Sequence, residues 1–152
     1  MRDGTAVRAA TSEDASFLIE HDHVQPDVIT GRIEAGQILV LEDDGVLIGW
    51  LRWNLFWDEI PFMNMLFVLE PHRGHGFGSA LMEAWEADAG RAGYEAVMTS
   101  SQADENSQHL YRNRGYADCG ALVLPDQAAE LVFRKQLRAR DASAEVRRTG
   151  KR

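Results

Sequence analysis

The stretch Arg73-Gly74-His75-Gly76-Phe77-Gly78 decides the fold of this chain. The apolar run 63–69 before it predicts a β-strand, and residues 79–92 after it predict a helix with one apolar face. Glycines at alternate positions let the main chain approach a ligand closely, and the N–H groups that open a helix favour an anion. Arg73 adds a planar cation suited to phosphate. A strand, an arginine- and glycine-rich turn and a helix together predict a pyrophosphate-binding loop.

Spacing separates three nucleotide-binding motifs at this turn. The dinucleotide motif G-x-G-x-x-G/A is not met, because its last position falls on Ser79 or on Leu81. The P-loop motif needs Gly-Lys-Ser/Thr, and neither of the two lysines of the chain lies nearby. The third pattern, Q/R-x-x-G-x-G/A, is met by Arg73, Gly76 and Gly78. Placed after a strand and a proline, it resembles the acyl-CoA-binding motif of the GNAT superfamily of N-acetyltransferases.

A second motif lies downstream. The run 111–116, Tyr-Arg-Asn-Arg-Gly-Tyr, resembles the GNAT signature Tyr-x-x-x-Gly-Phe/Tyr. In that family this tyrosine commonly protonates the leaving thiolate of CoA, so the resemblance implies that Tyr111 is the general acid; simple packing of Tyr111 is the alternative. A phenol with a pKa of about 10 gives its proton to a thiolate only when it is held beside it. The family asparagine seven positions earlier is Asp104 here, so Asn106 is assigned either to the cofactor or to capping of the helix.

The resemblance also implies the contacts of the acyl donor. Main-chain groups near residues 67–69 would pair with the pantetheine amides of CoA, and the amides of residues 74–79 would bind the pyrophosphate. The implied cofactor-binding residues are Phe67, Val68, Leu69, Arg73, Gly74, His75, Gly76, Phe77, Gly78, Ser79, Asn106 and Tyr111. The implied cosubstrate is acetyl-CoA, and no metal is implied.

The general base and the acceptor site stay open at this point. An amine must lose a proton before it attacks a thioester, and many GNAT enzymes use a glutamate on the fourth strand for this step. That strand has no carboxylate here, and Glu70 after it lies too near the expected pyrophosphate. Asp58 and Glu59 in the preceding loop are therefore the nearest candidates, with a water chain as the alternative.

Trp57 is a candidate acceptor residue, because a tryptophan ring attracts a cation. The resemblance places the first two helices beside the acceptor site, so His21 or His23 is the other candidate, and His23 is the one assigned. Residues 20–23, Glu-His-Asp-His, diverge in direction on a helix, so no metal site is predicted.

Composition limits the class of protein. The length predicts one domain over residues 1–136, followed by a basic, poorly ordered tail at 137–152. The formal net charge is −8, but six cationic against two acidic residues give the tail +4, which leaves −12 on the rest. An acidic body argues against a nucleic-acid partner and favours a cationic amine. With a single cysteine, predicted to be buried, and no membrane-length or signal-like apolar run, the sequence predicts a cytoplasmic protein without a membrane partner.

The predicted elements also resemble the GNAT fold, over residues 5–136. A strand at 5–9 is followed by two helices, a hairpin turning at 43–45, the strand-turn-helix crossover, a fifth strand, a short helix and two closing strands. The resemblance implies an α/β fold with a mixed, mainly antiparallel sheet of about seven strands, four helices and a V-shaped splay between strands 4 and 5. Pairing of the closing strands with a second copy stays open. Alternation predicts Trp53 and Trp57 on one face of their strand and Trp50 on the other.

The sequence therefore predicts an acyl-CoA-dependent N-acyltransferase that transfers acetyl from acetyl-CoA to a primary amine. One alternative is a non-catalytic acyl-CoA-binding module, a sensor or partner-binding domain, which the missing strand carboxylate favours. Another is a structural or dimerisation domain whose glycine turn binds no nucleotide.

Overall fold

The computed structural model describes residues 3–137, in which the chain forms seven strands and four α-helices. The strands are β1 (Thr5–Ala9), β2 (Ile38–Asp43), β3 (Val46–Phe56), β4 (Ile60–Val68), β5 (Ala96–Gln102), β6 (Ala117–Leu122) and β7 (Glu130–Gln136). The helices are α1 (Ala15–His21), α2 (Pro26–Glu34), α3 (Phe77–Arg91) and α4 (Ser107–Asn113). The predicted α/β class is confirmed, and β1, β3 and β7 have the predicted bounds. Apart from Leu137, the predicted tail lies outside the described residues.

The first of two compact units ends at Ala87 and contains the crossover loop. Strands β1 to β4 form one antiparallel ladder in chain order. Asp44 and Gly45 turn β2 into β3 with φ values of 48° and 81°, the left-handed pair that a two-residue hairpin turn needs. Two predictions concern how the two units are arranged: that the chain is a single domain, and that strands 4 and 5 splay apart. Both stay predictions.

Helices cover both faces of β3 within this unit. Leu18 of α1 and Ile29 of α2 are fully buried in one cluster with Trp50. On the other face, the ring of Trp53 lies 6.4 Å from that of Trp85 in α3. The predicted separation of Trp50 from Trp53 is therefore confirmed.

The second unit contains an antiparallel sheet in the order β5-β7-β6, with α4 between β5 and β6 in the chain. Its core includes Val97, Tyr111 and Phe133. Strand β6 is exposed along its whole length and includes Cys119, so the prediction that this cysteine is buried is wrong. The physical reason is that β6 is the last strand of this ladder and pairs on one side only. Among the helices at residues 3–137, each is too short or too polar to cross a bilayer.

The turn between β3 and β4 is tighter than the loop predicted at 57–61. Strand β4 already begins at Ile60, and the main-chain N–H of Glu59 donates to the carbonyl of Phe56 at 3.0 Å. Trp57 and Asp58 have φ values of 53° and 60°, although neither is a glycine. The left-handed turn lays the Trp57 ring against Phe56, at 4.6 Å between centroids. The alternation of β3 places Phe56 on the face of Trp50, so the prediction that Trp57 shares the face of Trp53 is wrong.

A buried ion pair fastens the end of α1 to the middle of β3. The carboxylate of Asp22 accepts hydrogen bonds from Arg52 Nε at 2.9 Å and from Trp50 Nε1 at 3.0 Å. The side chain of Asp22 is 0% exposed and that of Arg52 is 7% exposed. Burial alone would raise the pKa of Asp22, but the hydrogen bonds and charge of Arg52 outweigh burial and hold this pKa below its usual 3.8.

We expect Asp22→Asn to lower the free energy of unfolding by about 3–5 kcal/mol, because it leaves the charge of Arg52 buried without a counter-charge. Urea denaturation measures the loss. Since the pKa of Asp22 is depressed in the folded state, the pair contributes fully above pH ~4, the unfolded value, and its contribution disappears as the pH falls through the lower folded value. Asp27→Asn, at an exposed position, is the control. A loss below about 1 kcal/mol for Asp22→Asn would contradict the assignment.

We expect the double change Trp57→Asn with Asp58→Gly to raise the free energy of unfolding by about 1 kcal/mol. Each left-handed non-glycine residue costs about 1–2 kcal/mol, which the double change removes. The change also loses the ring contact with Phe56, worth about 0.5–1.5 kcal/mol, and adds the backbone entropy of a glycine. The removed strain exceeds these two losses. Urea denaturation again gives the measurement. Asp44→Asn in the other hairpin turn should change stability by less than about 0.5 kcal/mol. A clear loss of stability in the double variant would mean that the ring contact outweighs the strain.

Candidate functional site

The glycine-rich loop has the geometry of an anion site. Gly74 and Gly76 both have a φ of 81°, a conformation that side-chain-bearing residues rarely adopt. A Cβ built on either glycine would meet no atom within 4 Å beyond the adjacent residues of the chain, so the space above both residues is open. Helix α3 begins at Phe77, which is 3% exposed and fixes the first turn to the core. The N–H groups of that first turn and the helix dipole favour a negatively charged ligand beside the open space.

Arg73 folds back from the loop onto the end of β4. Its Nε donates to the carbonyl of Val68 at 2.8 Å, and its guanidinium lies 4.9 Å from the centroid of the Phe67 ring. The structure thus brings together three of the residues predicted to bind CoA, namely Arg73, Val68 and Phe67. One bond through Nε leaves the terminal nitrogens of this exposed guanidinium in a fixed orientation, suited to a bidentate contact with phosphate.

The main chain at the end of β4 has one residue whose polar groups point away from β3. The N–H of Leu69 donates to the carbonyl of Ile48 at 2.8 Å, so Val68 and Gly49, the ladder pair just before it, form a non-hydrogen-bonded pair. Alternation makes Trp50–Phe67 the next hydrogen-bonded pair. Of the three residues predicted to pair with pantetheine, only Val68 directs its N–H and carbonyl away from β3. Its carbonyl accepts from Arg73, and its N–H faces away from the ladder as a donor.

Gly49 sets the close approach of β3 to this segment. A Cβ at position 49 would lie 2.9 Å from the carbonyl oxygen of Phe67 and 3.5 Å from Leu81 of α3. Such a contact with main chain is too short to be relieved by a side-chain movement. The absence of a side chain at Gly49 therefore helps to set the position of Val68, its partner in the ladder.

The candidate bases lie at the other end of β4. Asp58 and Glu59 are exposed at the hairpin turn before this strand, together with Trp57, which is 64% exposed. Eight residue steps separate Ile60 from Val68, which corresponds to about 25 Å of strand. A carboxylate at the turn is therefore too far away to take a proton from an amine placed beside Val68.

His23 lies next to the buried ion pair. Its Nδ1 is 3.4 Å from the carboxylate of Asp22, and its own side chain is 71% exposed. His23 is thus available to a ligand at the surface, in the segment that joins α1 to α2. Among residues 3–137, no group of three or more histidine, cysteine, aspartate or glutamate side chains is arranged to hold a metal ion.

Tyr111 is buried in the second unit, with 6% of its surface exposed. Burial raises the pKa of Tyr111 above its ordinary 10.0, and hydrogen bonds with Thr99 and Ser107 offset part of this effect. The phenol therefore keeps its proton at neutral pH, as a general acid must before it acts. Its ring also packs against Phe133, at 5.9 Å between centroids, so the packing interpretation has a physical basis too.

Asn106 precedes α4 but does not cap it with its side chain. The residue has helical φ and ψ of −74° and −21°, and its side chain makes no cap hydrogen bond. The amide is exposed. Of the two interpretations that the sequence left open, helix capping lacks support in the structure, and the cofactor contact stays a prediction.

Arg52 pairs with Asp22 beside His23, and neither partner was predicted from the sequence. An arginine inside the apolar run 46–56 needs a carboxylate partner once the strand is buried. The indole N–H of Trp50, two residues earlier on the same face, needs an acceptor as well. These two requirements on one strand indicate a buried carboxylate close to both residues, and Asp22 is that carboxylate.

Solved structures share this fold at low sequence identity. Ard1 from Thermoplasma volcanium superposes with a TM-score of 0.78 at 15% identity, covering 90% of this chain and 99% of that one. The ribosomal-protein-S18-alanine N-acetyltransferase from Escherichia coli gives 0.72 at 14%, covering 91% and 97%. A GNAT family acetyltransferase from Elizabethkingia anophelis with acetyl-CoA bound gives 0.70 at 13%, covering 89% and 99%. At these identities the likeness establishes the fold alone.

The family follows from the sequence match and agrees with this fold. No curated protein matches the chain at a significant level. The model of the Acetyltransferase (GNAT) family matches residues 7–116, which include the glycine-rich loop, Tyr111 and Gly115. The chain belongs to the GNAT acetyltransferase family.

Proposed function

We propose that this protein is an acyl-CoA-dependent N-acyltransferase that transfers acetyl from acetyl-CoA to a primary amine. The loop at 73–79 carries the proposal: two left-handed glycines leave open space above the first turn of α3, and Arg73 stands beside it. These groups suit the pyrophosphate of CoA. Membership of the GNAT family supports acetyl transfer, and one structural relative contains acetyl-CoA.

The amine would attack the thioester carbonyl directly. A bond forms between the amine nitrogen and the carbonyl carbon, the carbon–sulfur bond breaks, the nitrogen loses a proton and the sulfur gains one. The N–H of Val68, which points away from β3, would donate to the carbonyl oxygen as negative charge develops on it. Tyr111 would supply the proton to sulfur: its phenol is protonated at neutral pH, and the proton transfer has to overcome the burial that raises its pKa.

Solvent is the better candidate for the base. Asp58 and Glu59 directly precede β4 in the sequence, yet about 25 Å of strand separates their turn from Val68. We therefore propose that water accepts the proton of the amine and that the two turn carboxylates act elsewhere. For the same reason, a non-catalytic acyl-CoA-binding module is the second candidate function, because β4 offers no carboxylate beside the carbonyl.

Location and assembly belong to the proposal as well. A cytoplasmic location is supported by the single cysteine, which is exposed and free on β6. Pairing with a second copy is supported by the exposure of β6, the last strand in the ladder of its unit. Acetyl-CoA and an amine are the proposed partners.

Release of free thiol from acetyl-CoA over a panel of amines tests the proposed function. The panel contains short alkylamines, polyamines, lysine derivatives and peptides with a free amino terminus. Turnover with any of them supports the transferase. Saturable binding of acetyl-CoA without turnover across the panel supports the binding module, and the absence of binding contradicts both.

We expect Gly76→Ala to raise KM for acetyl-CoA by at least about tenfold with little change in kcat at saturation, because the new methyl group enters the space proposed for phosphate. Gly45→Ala is the matched control, since Gly45 has the same φ of 81° and the same open surroundings in a different turn. Both variants carry the same backbone strain. Equal effects on KM would show that strain, and not contact with the donor, is responsible.

We expect Tyr111→Phe to lower kcat by about 10²–10⁴-fold while the dissociation constant of acetyl-CoA stays within about threefold, because a general acid contributes in the transition state. Tyr116→Phe is the matched control: Tyr116 is buried in the same unit, 6.0 Å from Tyr111 between centroids. Thermal melts of both variants measure the loss of the buried hydroxyl. An unchanged kcat for Tyr111→Phe would assign this residue to packing alone.

A further inference from the structure

The outer end of the β3–β4 hairpin carries an exposed aromatic surface. Phe56 lies between Trp57, at 4.6 Å, and Phe62, at 5.7 Å between ring centroids. Phe56 and Phe62 are half-buried, and 64% of Trp57 is exposed. We call these three residues the hairpin-end aromatic group.

Polar and acidic groups border this aromatic group. Asn64 donates its side-chain amide to the side chain of Asn54, which precedes Phe56 by two residues on the same face of β3. Asp58 and Glu59 are exposed in the turn itself. Exposed aromatic faces beside carboxylates complement a cation that also has an apolar stem, such as an arginine or lysine side chain.

The backbone presents this surface at a cost in stability. The β2–β3 turn uses Asp44-Gly45 for its two left-handed positions, whereas the β3–β4 turn uses Trp57 and Asp58. A bulky aromatic residue with positive φ is a genuine outlier, and such outliers are retained where the surrounding chain has a use for them. The strain also orients the Trp57 ring over Phe56 instead of leaving it on the opposite face.

Distance then decides what kind of molecule uses the surface. About 25 Å of β4 separates the turn from the N–H of Val68, which the proposed function places at the thioester. A small amine that contacts Trp57 cannot reach the thioester. An extended polypeptide covers this distance with about seven to eight residues, at about 3.3 Å per residue.

We infer that the acceptor is a basic polypeptide segment, whose amine reacts near Val68 while a cationic side chain seven or eight residues away binds the hairpin-end aromatic group and the carboxylates of Asp58 and Glu59. This inference rests on the proposed function for the place of the reacting amine. It names the substrate class, which that function leaves open, and gives the turn carboxylates a role in recognition instead of proton transfer. The formal charge of −12 outside residues 137–152 draws the same kind of segment to the protein.

Three ten-residue peptides test the inference. Each has a free amino terminus and a background of alanine, glycine and serine; one carries arginine at position 8, one carries arginine at position 3, and one is uncharged. Binding to the whole protein is measured by calorimetric titration, and turnover by thiol release. We expect the position-8 peptide to bind at least about fivefold more tightly than the other two, in line with one cation–π contact and two nearby carboxylates.

Variants of the turn connect this preference to the aromatic group. Asp58→Asn with Glu59→Gln, and separately Trp57→Asn with Asp58→Gly, should each remove the position-8 preference while kcat for a short alkylamine stays unchanged. Asp43→Asn with Asp44→Asn removes the same charge from the other hairpin turn and should leave the preference intact. Urea denaturation of the second turn variant, which we expect to be at least as stable as the parent, checks that lost binding there does not reflect unfolding.

The outcomes separate this inference from the proposed function. Equal binding of the three peptides, or a preference that survives both turn variants, overturns the inference even when small amines are acetylated. If the position-8 peptide binds most tightly but no amine gives thiol release, the proposed transferase function is wrong. The hairpin-end aromatic group is then still a peptide-binding surface. Transfer to short alkylamines alone, with no peptide binding, makes the acceptor a small molecule and overturns the inference.

Discussion

The pairing of Asp22 with Arg52 is the constraint on which the first unit depends. Each charge is almost completely removed from water, and neither would be stable there without the other. Since Asp22 follows α1 directly and Arg52 lies in the middle of β3, the pair fixes how far along the strand the helices extend. Trp50 on the helix side of the pair is fully buried, while Asn54 and Phe56 on the other side are only half-buried. The ion pair therefore stands at the boundary between the covered and the uncovered part of this face.

The chemistry of the glycine-rich loop could be predicted from the sequence because it is local. Left-handed glycines, the arginine and the start of α3 lie within a few consecutive residues, and spacing alone distinguishes the candidate motifs. The bounds of β1, β3 and β7 were predictable for a similar reason, since turn residues mark their ends. Tyr111 was predictable as a family position, but its partners Thr99 and Ser107 depend on the strand and helix that surround it.

The remaining features depend on partners that are distant in the chain. Asp22 and Arg52 are 30 positions apart, and nothing in the local pattern tells which carboxylate a buried arginine will meet. The ladder of β3 and β4 shifts register between Arg52 and Trp53, where Asn64 is the extra residue of β4. Alternation also failed at Trp57, because it holds only while the chain continues as a strand, and the left-handed turn begins there. Register and turn conformation are properties of two strands together, which a single strand's sequence does not contain.

Gly49 has a consequence for how this chain can diverge. It has no side chain and lies outside the glycine-rich loop at 73–79, yet a methyl group there would lie 2.9 Å from the carbonyl oxygen of Phe67. Any replacement would displace β4 next to Val68 and so alter a donor that belongs to another strand. Mutational drift is therefore restricted at a position that no catalytic motif includes, and homologues that replace this glycine should carry a second change across the ladder. The missing side chain of Gly49 thus constrains which sequences can keep Val68, on the neighbouring strand, in its position.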